Sequence, residues 1–251
     1  MRITIVGCGD AFGSGGRYHA ASLIEIADLG GGGQCLLDCG ATTMTALNAM
    51  GLNPNRIDLI FISHLHGDHF GGIPFLVLDA QWIRRRTRPL QIIGPPGTTV
   101  YLSFLFEALF AGSVAQTKWN FAWTVEEMAP GSRRAVAGFN ITTAEVRHSG
   151  GAPATAVRLE GGDRTFVHSG DTEWTDKLVE IAKGADLLFL ECFSVERMPN
   201  HLDYATLLAK RHCFDAKRIV LTHMGPAMLE FHDRVDRQQF ELAEDGLRFD
   251  L

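Results

Sequence analysis

Within the six residues His64-Leu65-His66-Gly67-Asp68-His69 the chain places three imidazoles and a carboxylate. Neutral imidazole and carboxylate are the ligands a borderline Lewis acid such as zinc prefers. A polar loop of helix-capping residues does not account for these types in this order. Gly67 lets the turn tighten, and Gly71-Gly72 release the chain into whatever follows. One such cluster cannot close a metal site, so partners must come from elsewhere. His148 follows the apolar run 141–146, Asp171 lies in the turn after 165–168, and His223 ends the run 219–222. Each alone reads equally well as a capping or satisfied core residue. The recurrence of strand then ligand points to one shared centre, and it gives a use to an unusual ten histidines.

Ligands at strand ends need strands to deliver them. Residues 57–63 form a short, nearly continuous apolar run, the pattern of a strand covered on both faces. Strands are also expected at 3–6, 90–93, 140–146, 154–159, 165–168, 187–191 and 218–222. A hairpin is expected from 22–27 and 34–38 across Gly30-Gly31-Gly32-Gly33. Helices are expected at 42–50, 73–86, 98–110, 175–183 and 204–211. Two similar halves of strands backed by helices permit an α/β protein built as a four-layer αββα sandwich, one domain over 1–251. The glycine-rich loop 7–16 is not a dinucleotide fingerprint: Phe12 stands at its third glycine position, and no helical pattern follows at once.

Composition sets outer bounds. With 46% hydrophobic and 21% charged residues the chain can bury a core, which excludes wholesale disorder. A net charge of -6 disfavours a long nucleic acid as partner. Five scattered cysteines suit a reducing compartment. The N-terminal apolar stretch is too short for a signal peptide, and no run approaches the ~20 apolar residues of a membrane span. A cytoplasmic protein with no membrane contact is therefore expected.

These residues carry a family likeness. The H-x-H-x-D-H signature at His64 to His69, the later His148, Asp171 and His223, and Asp38 within Leu37-Asp38-Cys39-Gly40 resemble the metallo-β-lactamase-fold hydrolases over almost the whole chain. The resemblance implies two divalent cations, zinc first, with manganese or iron acceptable. One would take His64, His66 and His148, the other Asp68, His69 and His223, with Asp171 bridging both and Asp38 orienting the histidine loop. The second signature histidine, His66, separates the chain from the diiron redox branch, where glutamate is typical.

Pro199-Asn200-His201-Leu202-Asp203-Tyr204 is similar to the phosphodiesterase branch, which includes ribonuclease Z and the cyclic phosphodiesterases of phosphonate metabolism. In that branch a histidine upstream of the last ligand is the general acid, so the resemblance implies His201 as acid, Asp203 as its orienter, and a metal-bridging hydroxide as nucleophile. The expected substrate is a small anionic phosphodiester, cyclic ones included. Two dications, two aspartates and a hydroxide would leave the site positive despite the overall charge. A carboxylic ester, thioester or lactone hydrolase is the alternative on the same metals. Ribonuclease Z-like RNA processing and a non-catalytic metal- or ligand-binding accessory role are minor readings. The region 94–147 lacks the glycine/basic arm of bacterial and archaeal ribonuclease Z, and Arg84-Arg85-Arg86-Thr87-Arg88 reads as a solvated helix end before an RNA grip. The aromatic segment from Phe104 to Trp123 suits core packing, a pocket wall or the contact of a homodimer. Cys8, Cys35 and Cys39 lack the clustering of an extra structural zinc site.

Overall fold

The computed structural model describes residues 1–26 and 33–251. In the first half, β1 (Arg2–Gly7), β2 (Ala21–Glu25), β3 (Gln34–Leu37), β4 (Ile57–Phe61), β5 (Leu90–Gly94) and β6 (Trp123–Glu127) lie side by side in that order. The pairs β1–β2 and β2–β3 are antiparallel, and β3 through β6 are parallel. The second half repeats the scheme with β7 (Arg133–Val136), β8 (Phe139–Glu145), β9 (Thr155–Gly161), β10 (Arg164–His168), β11 (Leu187–Glu191), β12 (Ile219–Thr222) and β13 (Glu241–Leu242). Pairing is antiparallel from β7 to β10 and parallel from β10 to β13. The last strand, β14 (Arg248–Asp250), returns to the first sheet beside β1.

Parallel neighbours need crossovers, and most of the helices serve as such. The first half carries α1 (Thr43–Ala49), α2 (Gly67–Phe70), α3 (Ile73–Trp82), α4 (Thr98–Leu109) and α5 (Ser113–Gln116). The second half carries α6 (Lys177–Ile181), α7 (Tyr204–Lys210) and α8 (Pro226–Phe231). Alternation along β4 shows why its sequence is continuously apolar. Leu59 and Phe61 enter a core shared with Ile141 and Phe189 of the other sheet, while Ile60 packs with Leu47, Leu76 and Phe106 of the helices. A third core joins Leu188 and Leu221 to Leu178, Leu207 and Met228 on α6, α7 and α8. Three cores separate four layers, helix, sheet, sheet, helix, as the sequence leads one to expect.

Local departures have local causes. The β2–β3 hairpin forms with Ser22 opposite Leu37, and the expected turn glycines Gly30, Gly31 and Gly32 lie outside the described residues. The helix expected over 73–86 ends at Trp82, because Arg85 turns the chain with φ 51° and Arg86 is drawn inward. Buried Arg86 donates to the carbonyls of Asn55, Arg88 and Pro89 and to Asp58. Arg84 pairs with Asp79 and Arg88 with Asp58. Arg84, Arg86 and Arg88 are thus staples, where a solvated helix end was expected, and Arg85 is exposed as that reading has it. The aromatic segment divides: Phe106 and Phe121 are buried, and Phe104 is 70% exposed.

Strand direction gathers the ligand-type residues at one edge. β4, β10 and β12 deliver His64, Asp171 and His223 from their C-terminal ends, and β3 delivers Asp38. β8 and β10 both run antiparallel to β9, so the His148 loop emerges on the same side as the Asp171 loop.

Candidate metal centre

Two groups of side chains converge at that edge. Ligand-type atoms of His64, His66 and His148 lie within 4.8 Å of one another, as do those of Asp68, His69, Asp171 and His223. In the first group His66 Nδ1 approaches His148 Nε2 to 2.9 Å. In the second, His69 Nε2 lies 3.4 Å from His223 Nε2 and 3.3 Å from both Asp68 Oδ2 and Asp171 Oδ1. Asp171 sits between the groups, its Oδ2 3.3 Å from His223 Nε2 and 3.8 Å from His64 Nε2.

The backbone is arranged for this convergence. The short helix α2 turns Asp68 and His69 inward straight after His66. His223 takes φ 55° and its N–H donates to the Cys8 carbonyl, which ties the last ligand to the end of β1. Gly40 passes so close to the histidine loop that a Cβ there would stand 2.1 Å from the Asp68 carbonyl oxygen. A Cβ on Gly150 would press on the His66 ring at 2.8 Å.

Asp38 holds the ligands' orientation. Its carboxylate accepts from the Ser63 N–H at 2.7 Å and the Ser63 hydroxyl at 2.8 Å, and it meets His69 Nδ1 at 2.8 Å. With its proton directed at Asp38, the Ser63 hydroxyl is left to accept from His64 Nδ1 at 3.1 Å. Both rings thereby keep an Nε2 lone pair facing inward, the role of outer partners at metal sites. Sequence reading missed Ser63, whose hydroxyl looks like ordinary strand-end polarity.

The centre concentrates buried ionisable groups. Burial would raise Asp68 and Asp171, yet the neighbouring His69 and His223 hold both far below the ordinary carboxylate range. Burial, and after it the crowding of imidazoles, lowers His64, His66 and His148. His69 and His223 are raised despite burial, chiefly by Asp171. Two inward buried atoms, His64 Nε2 and Asp171 Oδ1, have no hydrogen-bond partner. Buried polar atoms rarely stay unpaired, and a divalent cation satisfies imidazole lone pairs and carboxylates together. The donor set, spacing and orphaned atoms fit divalent metal.

Beside the ligands stands His201, its ring centroid 5.1 Å from that of His148 and stacked at 4.7 Å on Phe193. Its Nδ1 lies 3.1 Å from both carboxylate oxygens of Glu191, the residue that ends β11. Asp203, expected as the orienter, does not play that part. It is the N-cap of α7, accepting from Thr206 N and Thr206 Oγ1 at 2.8 Å each. Local capping wins that carboxylate, and the end of the preceding strand, ten residues back, supplies the partner of His201. Glu191 is fully buried and accepts from the Thr172 N–H at 2.5 Å. Burial, then the charge of Asp171, pushes its carboxyl well above the usual range, while burial lowers His201. Both shifts favour the neutral forms of the pair. The strand-then-ligand rule that located His148, Asp171 and His223 also points at Glu191. His168 lines a small enclosed space beneath the centre, its Nδ1 accepting from the Gly170 N–H.

Comparison with known proteins agrees with this geometry. The chain is 26% identical to a ribonuclease Z of Methanothermobacter thermautotrophicus over 90% of its own length and 87% of that protein. The short form of human tRNase Z superposes with a TM-score of 0.78 at 25% identity, covering 100% of this chain and 99% of that one. A metallo-β-lactamase fold protein, YhfI of Bacillus subtilis, superposes with a TM-score of 0.75 at 21% identity, covering 99% of each. The expected metallo-β-lactamase fold and phosphodiesterase branch are found, and the chain is a metal-dependent hydrolase. The expected exclusion of long nucleic acid is not supported, since relatives of this similarity are named as ribonucleases. Across residues 1–247 the sequence matches one family model, and the chain belongs to that family, described as Anti-Pycsar protein Apyc1.

Proposed function

We propose that the chain hydrolyses a small phosphodiester, cyclic ones included, at a centre of two divalent cations, zinc first among them. His64, His66 and His148 would hold one cation, Asp68, His69 and His223 the other, and Asp171 both. When bound, such a pair of cations supplies an activated water and neutralises charge building on the phosphoryl oxygens. The observation that carries the reading is the Glu191–His201 pair beside the ligand cluster. A carbonyl substrate with a good leaving group needs no such acid, whereas an alkoxide leaving from phosphorus does. With Nδ1 engaged by Glu191, His201 donates from Nε2 to the leaving oxygen, and the Glu191 carboxyl, whose burial favours its protonated form, returns a proton to Nδ1 so that the ring does not pass to imidazolate. Asp171 and Asp68, held ionised, oppose the lowering of His201 by burial and so favour its protonated form.

Chelated protein reloaded with zinc, manganese or iron would be assayed on cyclic and linear diesters, lactones and thioesters. Diester turnover that vanishes with chelation and returns with metal is expected. Faster lactone or thioester turnover would displace the reading, and metal binding with no turnover would point to an accessory role. Ribonuclease Z relatives make an RNA phosphodiester the second reading, decided by cleavage of a precursor RNA. A homodimer belongs to the same proposal. Phe75, Trp82, Tyr101 and Phe104 on the adjoining helices α3 and α4 are 40–70% exposed. At 150–250 Å² per aromatic side chain they offer roughly 400 Å² of apolar surface, about half of what a standard interface takes from each partner.

A further inference from the structure

Asn200 holds φ at 69°, a conformation that non-glycine residues seldom adopt and that asparagine tolerates best. It follows Pro199 in a turn whose ends, Met198 and His201, pair with each other. Proline second and asparagine third with positive φ is the type II pattern. Three polar groups of Asn200 are used. The Asn200 N–H donates to Glu173 Oε1 at 2.8 Å, its carbonyl accepts from His148 Nδ1 at 2.8 Å, and its Oδ1 accepts from the Ser149 hydroxyl at 2.9 Å. The next residue in the chain is His201. One residue in a strained conformation thus touches the His148 loop twice and is covalently joined to the candidate acid.

We propose that Asn200 is a positioning residue, whose left-handed turn aims the backbone carbonyl at His148 Nδ1 and sets His148 and His201 at their working separation. A ring that donates from Nδ1 keeps its lone pair on Nε2, the atom that faces His66. The carbonyl's direction follows from the dihedrals of residue 200, so the positioning belongs to the backbone and the side chain reinforces it through Ser149. Glycine adopts the same turn without strain, and a β-branched residue does not. The His201 half of this inference rests on the phosphodiester reading, and the His148 half does not.

The test compares Asn200→Gly with Asn200→Val. Zinc affinity is measured by competition with a chelating dye, the absorption spectrum is recorded after cobalt substitution, and turnover of an alkyl diester is compared with that of a nitrophenyl diester. Asn200→Val is expected to weaken one zinc by about 10–100-fold, the usual effect of losing an outer partner, and to change the cobalt spectrum. It should also depress the alkyl diester more than the nitrophenyl ester. Asn200→Gly should keep the cobalt spectrum and hold zinc far better than the valine variant. If valine prevents folding, Asn200→Ala imposes a milder form of the backbone conflict, and its zinc affinity is read against that of the glycine variant, where it should be the weaker. Wild-type zinc affinity and spectrum in the valine or alanine variant would overturn the proposal, as would equal losses in the glycine variant. Absence of diester turnover in the wild type would refute the phosphodiester reading alone, because zinc and cobalt still report on His148.

Discussion

His201 is held on three sides: by Glu191 at Nδ1, by the face of Phe193 and by the edge of His148. Glu191→Gln removes the carboxyl partner of the ring, and turnover of alkyl diesters should fall by about one to two orders of magnitude, the usual cost of losing an outer partner. Asp203→Ala should act differently. It removes a helix cap and should lower stability by about 1 kcal/mol in a urea titration, with the preference among leaving groups unchanged. If Asp203→Ala instead altered that preference, Glu191 would not be the orienter. The helix starting after Asp203 carried a capping signal, Asp203 followed three residues later by Thr206, which competes with its use as an acid's partner. His168 gives a pH prediction. Burial lowers it from 6.5 to about 4 in the fold, so the unfolded chain binds its proton first. Stability should therefore be full above pH 6.5, fall as the pH drops toward 4 and then level, with roughly 3 kcal/mol at stake. Urea titrations across that range should show a shallower slope for His168→Gln, and parallel slopes would contradict the assignment.

At the scale of elements, the ligands were legible because a strand's apolar run stops where its ligand begins. His148, Asp171 and His223 all obey this, and the structure brings them to one edge because their strands share a direction. Glu191 obeys it too, yet a lone acid ending Leu187–Glu191 has no second signal until the chain after it folds back and brings His201 to it. That contact is set by the fold of the loop, where the Phe193 N–H donates to the Leu202 carbonyl, and spacing along the chain does not contain it. The hidden dependence on close backbone approach is similar. Gly40 looks like any turn glycine, yet a Cβ there would meet the Asp68 carbonyl at 2.1 Å and His19 Cβ at 2.5 Å. Gly40→Ala should cost about 1–3 kcal/mol, typical of overpacking, and should loosen metal retention on dialysis. An unchanged urea midpoint would show that the loop yields more easily than its contacts suggest.

For the molecule as a whole, a net charge of -6 coexists with a centre that gathers cations, so overall charge says little about the charge a substrate meets. Among the described residues no helix is long and apolar enough to cross a membrane. The exposed aromatics of α3 and α4 should make the protein dimeric in light scattering, and Phe104→Glu should shift it to monomer; a monomeric wild type would contradict that assignment. The most direct measurement is kcat/KM for a series of phosphodiesters of graded leaving-group pKa, taken on the wild type and on His201→Ala at equal metal loading. Protonation by a positioned acid is worth about 10²–10⁴-fold for a poor leaving group and little for nitrophenoxide. The wild type should depend weakly on leaving-group pKa and the variant steeply, with the two lines meeting at the nitrophenyl ester. Parallel lines, with the same loss on every diester, would contradict the role given to His201.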